Sequence, residues 1–127
     1  MRKLNFASLQ VRDLEASKVF YTDYLGFELS EMTNPGAYVF RYNKGDASFA
    51  IRKPIGNLDG KEQGVGVSLW FAIDEKIEAF QSRLAHKGIA IVDTINNTPF
   101  GKTLIVTDPD GYFITFLEET KIINDGK

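Results

Sequence analysis

VRDLEASKVFYTDYLGFEL, Val11 to Leu29, leaves one extended segment, makes a helix and enters another. Asp13 suits an N-cap, since its short carboxylate can accept from the free amides of a first helical turn. Glu15 then falls in that turn, where the helix dipole favours a negative charge. Leu14, Ser17, Phe20, Tyr21, Tyr24 and Leu25 follow at helical spacing. Gly26 suits the position just past the helix, where the backbone turns left-handed.

Working outward, LNFASLQV (4–11) alternates like a strand. Ala7, Leu9 and Val11 share one side; Phe6, Ser8 and Gln10 share the other. Downstream, FELSEMT, the turn NPGA, YVFRY, the turn NKGD and ASFAIRK read as three strands in antiparallel succession. PIGNLDGKEQGVG (54–66) is polar and rich in Gly and Pro, which marks a connection. The order then restarts. VSLWFAI alternates as a strand, and DEKIEAFQSRLAHKG reads as a helix with Ile77, Phe80 and Leu84 inward, closed by Gly88. IAIVDTI, KTLIVTD and YFITFLEE read as strands, separated by the turns NNTPFG and DPDG.

The chain is therefore β-α-β-β-β written twice, an α+β fold. Gly26 and Gly88 lie 62 residues apart, and the same offset pairs Leu9 with Phe71, Val11 with Ile73 and Phe27 with Ile89. A module this small buries its sheet poorly alone. The expectation is that the copies pack, or exchange between chains, to enclose a space between their sheets.

Each helix should cover one face of its sheet: Ala7, Leu9 and Val11 in the first copy; Leu69, Phe71, Ile73, Ile114 and Phe116 in the second. The other face carries Phe6, Ser8, Gln10, Ala50 and Arg52, and in the second copy Ser68, Trp70, Ala72, Phe113 and Thr115. That mixed character suits a binding cavity. Trp70, between two small residues, is either packing between modules or a stacking platform for a planar ligand. Phe6 and Phe113 carry the same two readings. Arg52 is a snorkelling strand-end side chain or an anchor for a carboxylate or phosphate. Gln10 is a solvated strand-end group or a hydrogen-bond partner for a ligand. Glu118 and Glu119 should face solvent beyond the last strand, Tyr21 and Tyr24 should pack helix on sheet, and the tail KIINDGK should fray.

Of the 127 residues, 43% are hydrophobic and 25% charged, with a net charge of −2. No strong field of either sign speaks for a nucleic-acid or anionic-membrane partner. There is no cysteine, which removes disulfides, thiolate metal sites and cysteine nucleophiles together. The start MRKLNFASLQVRDLE has no apolar stretch of the signal-peptide kind, and no apolar run approaches the ~20 residues of a membrane span. A cytoplasmic protein is expected. The single histidine, His86, falls near the end of the second helix, where the dipole favours it at the surface. No Ser/His/Asp or Cys/His set is available, and no carboxylate pair converges on the mixed face.

VRDLEASKVFYTDYLGFEL and TDPDGYFITFLEE, with the doubled β-α-β-β-β order, resemble the vicinal oxygen chelate superfamily of glyoxalases, bleomycin-resistance proteins and extradiol dioxygenases. The resemblance implies one such domain over 1–127, with modules over about 4–53 and 66–119 joined by a linker over about 54–65. It implies a U-shaped cleft and a homodimer. In metal-using members, four residues from the first and last strand of each module ring a divalent ion. Here those positions fall on Phe6, Ala50, Ser68 and Thr115. Phe and Ala cannot coordinate, and neutral Ser and Thr hydroxyls are poor ligands for such a site. The expectation is a protein without metal or cofactor, of the bleomycin-resistance type, that sequesters an aromatic or cationic small molecule such as an antibiotic. Its ligand-binding residues would be Phe6, Gln10, Arg52, Ser68, Trp70, Phe113 and Thr115. The alternative is a lyase, isomerase or oxygenase of the same family with displaced or absent metal ligands.

Overall fold

The computed structural model describes residues 1–119, the side chains of Met32 and Thr33 excepted. The tail KIINDGK lies outside the described residues. The chain divides into two compact units, Met1–Gln63 and Gly64–Lys127.

The first unit contains β1 (Phe6–Gln10), α1 (Leu14–Val19), β2 (Leu29–Asn34), β3 (Ala37–Phe40) and β4 (Ser48–Arg52). Its sheet runs β1-β4-β3-β2, with β1 parallel to β4 and the other pairs antiparallel. The Asp13 carboxylate caps α1 by accepting from the Ala16 amide at 3.0 Å. The expected helix does not stay α-helical. After Val19 it continues as a π-helical segment, Phe20–Tyr24. That segment holds Phe20 and Tyr21 buried but leaves Tyr24 38% exposed, so only Tyr21 takes the full packing role expected of both tyrosines. Gly26 closes the turn at φ 87°, and Gly88 does the same in the second unit at φ 73°.

The first core is aromatic. Tyr21 lies 5.7 Å from both Phe40 and Phe49, and Phe27 lies within 5.8 Å of all three rings. Leu9, Val11 and Ile51 fill the rest of the helix side, all buried. Rings of this size bury much apolar area per residue, and their edge-to-face contacts add to it.

The connection after β4 is tied down from the end of β1. The Gln10 side-chain carbonyl accepts from the Ile55 amide at 2.8 Å. One Arg12 nitrogen donates to the carbonyls of Leu58 and Lys61, both at 2.8 Å.

The second unit contains β5 (Leu69–Ile73), α2 (Ile77–His86), β6 (Ile91–Thr98), β7 (Gly101–Thr107) and β8 (Phe113–Glu119). Its sheet runs β5-β8-β7-β6, the same order as the first. Ile77, Phe80 and Leu84 are buried as their spacing predicts, and Phe80 stacks edge-on against Phe116 at 4.7 Å. Leu104, Val106 and Ile114, all fully buried, complete an otherwise aliphatic core. His86 is exposed in the last turn of α2.

Two expectations are corrected. NNTPFG is not one long turn: β6 runs to Thr98, β7 starts at Gly101, and only Pro99 and Phe100 remain between them. Asn and Thr read as turn formers, but here they pair in the ladder. Glu118 and Glu119 do not lie beyond the strand. Both belong to β8, and Glu118 accepts from the Ile77 amide at 2.8 Å, capping α2 from a neighbouring strand.

Among the described residues, no helix is long and apolar enough to cross a membrane.

Candidate functional site

In the second unit, alternation sends Leu69, Phe71, Ile73, Ile114 and Phe116 under α2, and Ser68, Trp70, Ala72, Phe113, Thr115 and Leu117 to the opposite face. Parallel pairing sets Trp70 beside Thr115, and antiparallel pairing sets Ile105 on the far side of Thr115. Aromatic side chains are exposed here: Trp70 at 45%, Phe113 at 55% and Phe100 at 67%, with Phe113 and Phe100 at opposite ends of the β7–β8 pair. Thr115, between the strands that carry Trp70 and Ile105, is 3% exposed, so its hydroxyl sits beneath the face and not on a hydrated floor.

Trp70 is ordered although exposed. Its indole N–H donates to the Ser68 hydroxyl at 2.7 Å. Phe100 meets it edge to face, with centroids 6.2 Å apart and planes at 90°. Ser68, expected as a ligand contact, is thus engaged with the indole.

In the first unit, the corresponding face carries Phe6, Ser8, Gln10, Ala50 and Arg52. Ser8 pairs with Ala50 as Trp70 pairs with Thr115. Phe6 is 48% exposed, whereas Ala50 is buried. Gln10 holds the Ile55 amide, and the Arg52 side chain donates to the Lys53 carbonyl at 3.1 Å. Two of the polar candidates are therefore occupied by backbone next to the strand ends.

The four positions to which the resemblance carries the metal ligands do not fit a divalent ion. Phe6 and Ala50 offer no lone pair, Ser68 accepts from the Trp70 N–H, and Thr115 offers only a neutral hydroxyl. Among the described residues, no three His, Asp or Glu side chains come together in a way that could hold a metal.

A polar groove in the second unit lies elsewhere, lined by Asp74, Glu75, Lys76, Asn97, Lys102 and Glu118 among others. Several of its charges are committed to structure. Glu75 accepts both Arg83 N–H groups, at 2.9 and 2.8 Å, and this hydrogen bonding holds its carboxyl below the usual carboxylate value. Lys102 donates to Glu78 at 2.8 Å, which lowers the Glu78 pKa and raises that of Lys102. None of the residues expected to bind ligand lines this groove.

Phe100 is the residue that sequence reading missed. In the sequence it lies within NNTPFG, which reads as a turn. The signal that finds it is the short spacing between two alternating strands, which leaves a large apolar residue at a hairpin tip.

Solved structures share this fold. TnmS3, an antibiotic binding protein from Streptomyces sp. CB03234, superposes with a TM-score of 0.72 at 23% identity, over 94% of this chain and 98% of its own. A glyoxalase/bleomycin resistance protein from the same organism gives 0.71 at 26% identity, over 91% of this chain and 100% of its own. A lactoylglutathione lyase from Agrobacterium tumefaciens gives 0.67 at 18% identity, over 93% of this chain and 94% of its own. No curated protein sequence matches the chain. The model of the Glyoxalase/Bleomycin resistance protein/Dioxygenase superfamily matches residues 3–116, nearly the whole described chain, and with the doubled β-α-β-β-β order it makes this protein a member of that superfamily.

Proposed function

We propose that this chain is a small-molecule-binding protein that works without a metal and sequesters an aromatic or cationic compound against the helix-free face of its second unit. The observation that carries the reading is Trp70: an indole fixed by a hydrogen bond at one edge yet 45% exposed, beside the exposed Phe100. A held aromatic surface loses little entropy on stacking with a flat ligand, and an aromatic face also attracts a cation. The shared fold does not choose between binding and catalysis, since it serves both an antibiotic binding protein and a lactoylglutathione lyase. The side chains favour binding. Family metal chemistry needs ligands that Phe6, Ala50, Ser68 and Thr115 do not supply. An antibiotic as the compound, a homodimer as the working form and the cytoplasm as its place belong to the same proposal.

The chain has one tryptophan, so its emission reports on this face alone. Titration with planar aromatic and cationic antibiotics should quench or shift that emission saturably for at least one compound. Trp70→Leu should fold and lose binding when binding is followed through the compound's own signal. A folded Trp70→Leu that binds as the parent does would overturn the site. One Zn, Ni, Fe or Mn per chain retained through dialysis would overturn the metal-free reading.

A further inference from the structure

We propose that Phe100 is the second wall of this aromatic site, and that Ser68 and Thr98 are positioning residues that hold the two rings at a right angle. The proposal rests on the reading of Trp70 as a binding platform. It adds a residue from a different element and assigns Ser68 a role other than ligand contact.

Phe100 occupies the two-residue tip between β6 and β7. A ring on a hairpin tip is ordinarily mobile, but this tip is tied twice through one hydroxyl. Thr98 Oγ1 accepts from the Phe100 amide at 3.1 Å and donates to the Gly101 carbonyl at 2.7 Å. Gly101 itself is buried and has φ 136°, a conformation that residues with a Cβ rarely adopt. The tip is thus shaped to one conformation. The ring it carries meets Trp70 with centroids 6.2 Å apart and planes at 90°. At its other end, the indole is held by Ser68 at 2.7 Å.

The indole is therefore held by the hydroxyl of Ser68, just before β5, and the backbone that carries the Phe100 ring is held by the hydroxyl of Thr98, at the end of β6. Both rings remain largely open, Phe100 at 67% and Trp70 at 45% exposure. Two perpendicular rings suit a flat aromatic ligand that lies on one ring and turns its positive edge to the face of the other. A flat aromatic cation gains from both contacts, because each ring face is negative. The occupant assigned is thus a planar aromatic cation. Neutral planar compounds should bind less tightly, and non-planar cations less tightly still.

The test uses the full chain, with ethidium as the probe, and has two readouts. Without probe, the sole tryptophan reports its own restraint. Ser68→Ala, Thr98→Val and Phe100→Leu should each lower the steady-state anisotropy of Trp70 and raise its quenching by acrylamide. Ser68→Thr and Phe100→Tyr should restore both. With probe, followed by ethidium anisotropy, Phe100→Leu and Ser68→Ala should each weaken binding about 3- to 10-fold, the size of one lost aromatic contact. Their melting temperatures should stay near the parent's, since Phe100 and Ser68 are both exposed. Unchanged anisotropy and acrylamide quenching in Ser68→Ala would overturn the positioning role of Ser68, and unchanged values in Thr98→Val that of Thr98, whatever binds. If Trp70→Leu weakens ethidium binding while Phe100→Leu does not, the second wall is overturned and the platform stands. If Trp70→Leu binds ethidium as the parent does, the platform reading fails first.

Discussion

The two units share one topology and distribute their aromatic residues in opposite ways. In the first, Tyr21, Phe27, Phe40 and Phe49 cluster beneath the helix, and the far face keeps Phe6 among small and polar side chains. In the second, the helix side is mainly aliphatic, and Trp70, Phe100 and Phe113 are exposed. The helices differ accordingly. α2 is a regular ten-residue helix, whereas α1 gives way to a π-helical segment beside Ser17, a buried hydroxyl without a hydrogen-bond partner among the described residues. A widened turn re-aims side chains, which suits a core that must seat large rings. A repeat thus preserves where the chain goes and leaves free which face is given to stability and which to recognition.

The comparison can be broken first in the cores. Tyr21→Ala should cost about 4 kcal/mol and Leu84→Ala about 3 kcal/mol, because the aromatic core loses more buried contact per residue. Urea denaturation of both variants checks the order; equal or reversed costs would mean that the aromatic cluster is no better packed than the aliphatic one.

The turns give a smaller contrast. Asp108, 4% exposed, accepts from the amides of Asp110 and Tyr112, both at 2.9 Å. Both turns close through a backbone bond, Gly111 N–H to the Asp108 carbonyl and Asp46 N–H to the Asn43 carbonyl, each at 3.0 Å, and the Asp108 carboxylate adds its two bonds to that. Asp108→Ala should therefore cost about 1–3 kcal/mol, since it strands amides that its carboxylate satisfies. Asn43→Ala should stay within about 0.5 kcal/mol. A costly Asn43→Ala would remove the contrast.

The smallest effect lies in the ion pairs. Glu75 and Arg83 are 36% and 48% exposed at the side chain, whereas Glu28 and Arg41 of the first unit are 68% and 69% exposed. Glu75→Gln should cost about 0.5 kcal/mol at pH 7, the discount for exposure included. The Arg83 hydrogen bond lowers the Glu75 pKa from its ordinary value of 4.5. Its contribution is thus present above that value and lost as pH falls through the lower, folded value. The stability gap between parent and variant should narrow as pH falls below 4.5, roughly following a single titration in paired melts. A gap that does not narrow with acid, or an equal effect in Glu28→Gln, would erase the difference between the pairs.

The doubled topology was legible because apolar periodicity, an N-cap and a closing glycine are all local signals. Asp13, Gly26, Gly88 and the inward trio Ile77, Phe80 and Leu84 fall where spacing put them. The face carrying Trp70 was legible for the same reason, since alternation fixes it once the strand is found. The widened helix was not, because Phe20–Tyr24 has the same apolar spacing in either helical form. Phe100 was not, because Asn96, Asn97 and Thr98 look like loop and are held in the ladder by their partners on β7. The employment of Gln10 on the linker was not, because a side chain's partner 45 residues away leaves no mark in spacing.

Arg12 and Gln10 change what the segment from Pro54 to Lys61 is. Its composition spells a free linker, yet Ile55, Leu58 and Lys61 are each fastened to the end of β1. The chain between those anchors behaves as short loops with fixed ends. A peptide inserted at Gly56 or Asn57 would pay closure entropy that grows only with the logarithm of its length. A tag placed there would leave all three anchors standing, whereas loss of Arg12 would release two of the three at once and open the segment to protease.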